Sequence, residues 1–177
     1  MFKQTLCTKS ILNSRERGDA IVEHRIFDAA IWFVEQNGGY ITSKKMQKLC
    51  YYAQAWSYVI LERALFNGEF QAWVHGPVNK ELWDAFKDIS YRQITVSDFK
   101  ERMINTTSFD DTEVSLLERV WETYGEFEGY QLEALTHEET PWKEQRTGLA
   151  PDQPGYNVIS PASMHDYYLS VYVGEED

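Results

Sequence analysis

The segment KKMQKLCYYAQAWSYVI, residues 44–60, most constrains what this chain can fold into. Met46, Leu49, Cys50, Ala53, Ser57 and Ile60 recur at helical spacing, Trp56 stands beside them, and Thr42 or Ser43 occupies the position of an N-cap. Burial of each large apolar side chain contributes roughly 1.5 to 3 kcal/mol, so the segment predicts a core helix against which the rest packs. The cover is available: the 177 residues include six Trp, eleven Tyr and nine Phe. A chain of this length buries roughly 70% of its unfolded surface without staples, so one folded domain is expected and global disorder is excluded.

The remaining pattern supplies the other elements. Ile26, Ala29, Ala30, Phe33 and Val34 form one helical stripe, and Asn37-Gly38-Gly39 provides a left-handed stop, which predicts a helix over about 25–37. After the turn Asn67-Gly68, residues Phe70, Ala72 and Val74 alternate with Gln71, Trp73 and His75 as in a short strand, ended by Gly76-Pro77. Asn79 can then start a helix with Val78, Leu82, Phe86 and Ile89 on its apolar side. Ile94-Thr95-Val96 reads as a second short strand, and residues 97–109 as irregular. Asp110 with Glu113 has capping-box spacing and opens a helix over about 112–124 bearing Val114, Leu117, Val120, Trp121 and Tyr124. A brief helix follows over Tyr130 to Thr136, a long loop over 143–159, and a last helix from Ser160-Pro161 to about Tyr168. The expected fold is therefore mainly α: a compact helical domain of about five to six helices with a small β element around 70–74 and 94–96. Residues 1–24 read as an N-terminal arm, 25–173 as the domain and 174–177 as an acidic tail.

Charge is distributed unevenly. The net charge is −11, but residues 1–100 carry 13 Lys/Arg against 11 Asp/Glu, whereas residues 101–177 carry 4 against 17. Such an anionic surface repels phosphate backbones and anionic lipid and favours encounter with basic partners. Glu118, Glu122, Glu126 and Glu128 are the candidate electrostatic surface. The basic cluster Lys44, Lys45 and Lys48 reads as an exposed helix face, so nucleic-acid binding is not expected. Two cysteines, Cys7 and Cys50, are too few for a disulfide framework or a thiolate metal cage. With no signal-type apolar run and no window near 18 apolar residues, a cytoplasmic location without membrane insertion is expected.

Catalytic constellations are not found. The ten glycines form no phosphate-binding loop. His24, His75, His137 and His165 lie far apart and lack partners at metal-ligand spacing. His137-Glu138-Glu139 is similar to the opening of a zinc-protease helix, but Pro141 stands where a second His would be needed and would break that helix. His165-Asp166 has no nucleophile in an elbow context. Asp110-Asp111, Glu138-Glu139 and Glu175-Glu176-Asp177 sit at helix starts and chain ends, where acids serve simpler purposes. No catalytic, cofactor or metal role is assigned; a metal-dependent hydrolase using His137, Glu138 and Glu139 is the least favoured alternative.

Two stretches carry a family resemblance. In the first, Lys48, Leu49, Tyr51, Tyr52, Gln54 and Trp56 precede a Phe66 to Gly68 turn, Ala72-Trp73 and Gly76-Pro77-Val78. In the second, Tyr124-Gly125 is followed by Leu135-Thr136-His137 and Pro141-Trp142. Together they resemble the Panacea domain of SocA-like antitoxins, also known from phage-associated GepA-like proteins. Cys50 stands where a larger aliphatic residue is usual. The resemblance implies an antitoxin that neutralises a toxic protein by direct binding, with the toxin encoded by the adjacent gene, and no enzymatic activity. It also implies an alternative, an adaptor that delivers the bound toxin to a protease. The motif residues Tyr51, Tyr52, Trp56, Trp73, His75, Gly76, Pro77, Thr136, His137 and Trp142 are candidates either for specifying the fold or for contacting the partner. Trp73 and Trp142 are large enough for either role, and Gly76-Pro77 fixes the chain direction.

Overall fold

The computed structural model describes residues 24–89 and 91–172. The arm expected over 1–24, His24 excepted, and the tail over 174–177 lie outside the described residues.

Eight α-helices and five short strands follow one another: α1 (Ile26–Gln36), β1 (Tyr40–Ile41), α2 (Ser43–Ile60), β2 (Phe70–Trp73), β3 (Gly76–Val78), α3 (Lys80–Phe86), β4 (Ile94–Thr95), α4 (Val96–Glu101), α5 (Asp111–Tyr124), α6 (Gly129–Glu138), α7 (Thr140–Gln145), β5 (Val158–Ile159) and α8 (Pro161–Val171). The architecture is mainly helical around α2, which packs against α1, α3, α5, α6, α8 and β3. Thr42 caps it, its hydroxyl accepting from the Lys45 amide at 3.3 Å. Met46, Leu49, Cys50, Ala53 and Trp56 are buried as the periodicity requires, and Phe33, Leu82, Leu117, Val120 and Leu132 meet them in one core. Gly38 and Gly39 end α1 at φ +82° and +90°.

The β structure forms two small antiparallel sheets. In one, β1 pairs with β4, Tyr40 opposite Thr95 and Ile41 opposite Ile94. In the other, β2 lies between β3 and β5, with Ala72 opposite Pro77 and Gln71 opposite Val158. Gly76-Pro77 does more than end a strand. Val74 and His75 form the turn, and Gly76, at φ +91°, starts the return strand.

Two short helices account for most of the difference from the expected count. Val96 belongs to α4 rather than to the strand, because Asp98 draws the chain into a helical turn. Its Oδ2 accepts from the Thr95 amide at 2.7 Å and the Thr95 hydroxyl at 2.8 Å, while Arg92 holds Oδ1 at 2.6 Å. The Arg92 hydrogen bond, with those from Thr95, keeps the Asp98 carboxyl far below the usual carboxylate range. The long loop expected over 143–159 starts after α7 and ends in β5. The buried Arg146 shapes it, donating to the carbonyls of Ala72 at 3.1 Å and Gln153 at 2.7 Å. Among the described residues, no helix is long and apolar enough to cross a membrane.

Candidate functional site

The polar residues of α2 are buried together with its apolar ones. Lys45 is 6% exposed and Lys48 1%, so the face expected to be solvated is covered, because α6, β3 and the α5–α6 connection lie over it. Lys45, Gln47, Lys48 and Gln54 each meet main chain. Lys45 Nζ donates to the Gly125 carbonyl at 2.7 Å. Gln47 Nε2 donates to the Asn79 carbonyl at 3.1 Å, and its Oε1 accepts from the Asn79 amide at 2.9 Å. Lys48 Nζ donates to the Pro77 carbonyl at 2.9 Å. Gln54 bridges the Leu65 and Phe66 amides and the Phe66 carbonyl. A buried polar group must find a partner, and these partners are the loops that α2 thereby fixes.

Lys48 is where the two sequence motifs meet. A Cβ on Gly76 would lie 2.8 Å from Lys48 Cε and Nζ and 2.8 Å from Thr136 Oγ1, so β3 and α6 approach the amine only because residue 76 is glycine. Burial lowers the Lys48 pKa to about 7, against the opposing pull of Glu133. Glu133 in turn pairs with Lys44 and with His75 Nδ1 at 2.8 Å. Trp142 Nε1 donates to the Trp73 carbonyl at 2.9 Å, and the His137 ring stacks on Trp142 at 4.0 Å. His137 Nε2 is buried without a hydrogen-bond partner, and burial lowers its pKa. Thus Trp73, His75, Gly76, Pro77, Thr136, His137 and Trp142 come together where the β2–β3 hairpin meets α6 and α7.

An aromatic shelf lies beside this junction. Half-buried Trp73 meets Trp83 edge-on at 5.3 Å and Tyr156 at 5.7 Å. Trp73 Nε1 donates to Gln71 Oε1 at 2.9 Å, and Lys87 Nζ stands 5.1 Å from the Trp83 ring. Tyr156 is 63% exposed, and the neighbouring Val158 is exposed as well. Trp83 and Tyr156 belong to neither motif, and nothing in their local sequence marks them; the pairing of β2 with β5 brings Tyr156 to Trp73.

Tyr51, Tyr52 and Trp56 are buried and face a different group. Glu139, 8% exposed at the corner between α6 and α7, accepts from Tyr52 Oη at 3.0 Å and from Tyr168 Oη at 2.6 Å. Tyr52 stacks on Tyr124 at 3.8 Å, and Tyr124 Oη accepts from Trp56 Nε1 at 3.2 Å. Burial raises the Glu139 pKa to about 7, against the effect of the two phenols. The pair Glu138-Glu139 therefore splits: Glu138 is exposed and bonded to Lys143, whereas Glu139 is in the core. The signal for that split is position, since Glu139 both ends α6 and precedes Thr140-Pro141 at the start of α7.

Glu118 and Glu122 are exposed on α5, and Glu126 and Glu128 are exposed in the following loop. None of the four forms an ion pair among the described residues. Three or more metal-capable side chains are not grouped anywhere among those residues.

A family model described as antitoxin SocA-like, Panacea domain, matches residues 46–143, more than half of the chain and the whole course from α2 into α7. No curated protein and no solved structure matches the chain.

Proposed function

Because this chain belongs to the SocA-like antitoxin family with its Panacea domain and so has a toxin–antitoxin-related role, we propose that it neutralises a cognate toxic protein by binding it directly. The family match carries the reading. The structure supports it with a surface suited to protein recognition: Trp73, Trp83 and Tyr156 form an aromatic shelf that an ordered hairpin and α3 hold in place. Rigid, partly exposed Trp and Tyr side chains supply much of the affinity in protein interfaces. The exposed carboxylates of Glu118, Glu122, Glu126 and Glu128 steer a basic partner by long-range attraction. Tyr51, Tyr52 and Trp56 build the frame behind these surfaces, since their side chains do not reach solvent.

Co-expression with the product of the adjacent gene is the direct test. That product should arrest growth alone, and this chain should restore growth and co-purify with it. A neighbour that is harmless alone, or one that stays lethal with this chain present, removes the proposal.

A further inference from the structure

Glu139 is a buried carboxylate whose partners are all side chains. The groups that face it are Tyr51 and Tyr52 from α2 and Tyr167 and Tyr168 from α8, with Tyr124 from α5 stacked behind Tyr52; its neighbour Glu138 points to solvent and pairs with Lys143. Among the described residues, lysine, arginine and histidine are not among the groups that bear on it. Three phenols surround the carboxylate closely, but only Tyr52 and Tyr168 bond to it. Tyr51 Oη faces Tyr168 instead.

The elements that hold Glu139 are not equally secured. α2 is buried through all of residues 45–57, and the corner that carries Glu139 is tied to β2 through Trp142 and Arg146. In α8, the buried residues are Met164 and Tyr168 alone. Tyr168 Oη ties α8 to the α6–α7 corner through Glu139 Oε2. A helix with few buried side chains opens more readily than one buried along its length. Water reaches the carboxylate most readily when α8 moves.

We propose that Glu139, Tyr52 and Tyr168 form a proton-operated latch that holds α8 against α2 while Glu139 is protonated and lets α8 loosen once Glu139 is ionised. In the closed state the carboxyl group titrates near 7, as the absence of a cation and its burial require. In an opened, hydrated state it returns to the ordinary value near 4.5. The open state thus binds its proton more weakly, so opening is promoted as pH rises from about 4.5 to about 7 and levels off above. The phenols remain protonated throughout this window, because burial pushes Tyr51, Tyr52 and Tyr168 further above their usual range. The latch acts within this chain and does not depend on the identity of the toxin.

Hydrogen exchange of the full chain tests it, with amides of Pro161–Val171 followed at several pH values and corrected for intrinsic rates. Between pH 5 and 7.5 the α8 opening constant should rise about fiftyfold, while amides in α2 change far less. Glu139→Gln should flatten that rise while leaving α8 protected. Carboxyl NMR of the unmodified chain provides a second measurement, which should place the Glu139 titration near neutrality. A pH-independent opening constant, an equal rise in Glu139→Gln, or a Glu139 titration near 4.5 would overturn the latch.

Discussion

Two ionisable groups are buried at α2, Lys48 within it and Glu139 against Tyr52, and their surroundings move them toward neutrality from opposite directions. Lys48 falls to about 7 and Glu139 rises to about 7, each because burial disfavours its charged form. Their partners differ in kind. Lys48 bonds to a main-chain carbonyl in a hairpin whose path depends on Gly76, and that carbonyl cannot leave without undoing β2 and β3. Glu139 bonds to phenols on α2 and α8, and one of them can leave with its helix. The lysine site therefore builds the molecule, and the carboxylate site is where it can change.

The sharpest way to break this comparison is to alter the lysine side. Gly76→Ala places a methyl group 2.8 Å from Lys48 Nζ and Thr136 Oγ1 at a backbone φ of +91°, so strain and overpacking add. The expected loss is about 2 to 4 kcal/mol in urea unfolding, and the turn at Val74-His75 should lose its hydrogen-exchange protection. A loss below about 1 kcal/mol would mean that the hairpin adjusts freely and is no more rigid than α8.

The pH dependence of the two sites carries opposite signs. The folded-state pKa of Lys48 is depressed, so its buried charge opposes folding fully below about pH 7, and this opposition is relieved as pH rises toward 10.5. The folded-state pKa of Glu139 is elevated, so its cost is absent below about 4.5, grows as pH rises to about 7, and stays constant above. Measured against Lys48→Met, the wild type should gain stability from pH 7 to 10, with a slope of at most about 1.4 kcal/mol per pH unit. Measured against Glu139→Gln, it should lose stability from pH 5 to 7. Unfolding curves across both windows check the signs, and a flat difference in either window would show that the group concerned is solvated.

How much of this was legible in the sequence depends on whether the signal was local. The periodicity of residues 46–57 located α2, and Asp110 with Glu113 located the start of α5, where Asp110 Oδ1 accepts from the Thr112 and Glu113 amides at 2.9 Å. Thr95-Val96-Ser97-Asp98 carried the same kind of signal for α4, but β-branched residues at 94–96 read as strand, and the capping interaction prevails from Val96 onward. Burial of Lys45 and Lys48 could not be read locally. A lysine at the start of a helix is usually solvated, and only the packing of α6 and β3 over α2 makes these two part of the core. The same holds for Tyr156, which joins Trp73 through strand pairing far along the chain, and for Glu139, whose phenolic neighbours come from two distant helices. Pattern marked the residues of the site, and tertiary contact assigned their roles.

The aromatic shelf and the acidic patch differ in the same way as the two buried groups, one rigid and the other adjustable. Tyr156→Ala should weaken partner binding about tenfold through faster dissociation, with folding stability changed by no more than about 0.5 kcal/mol. Calorimetric or surface-binding affinity checks it, and unchanged affinity would take the shelf out of the interface.

The smallest effect is expected from the carboxylates. Glu118 and Glu122 project from α5 at i, i+4 spacing, exposed and without ion pairs among the described residues. Their contribution is to encounter rather than to contact, and solvent screens it beyond about 10 Å at 0.1 M salt. Reversing both to lysine should slow association severalfold at low ionic strength and flatten its salt dependence, with the dissociation rate nearly unchanged. Stopped-flow association across a salt series separates these quantities. If the dissociation rate moves instead, the carboxylates touch the partner and the patch belongs to the interface with the shelf; if neither rate moves, the patch is a solvated face and the shelf alone recognises the toxin.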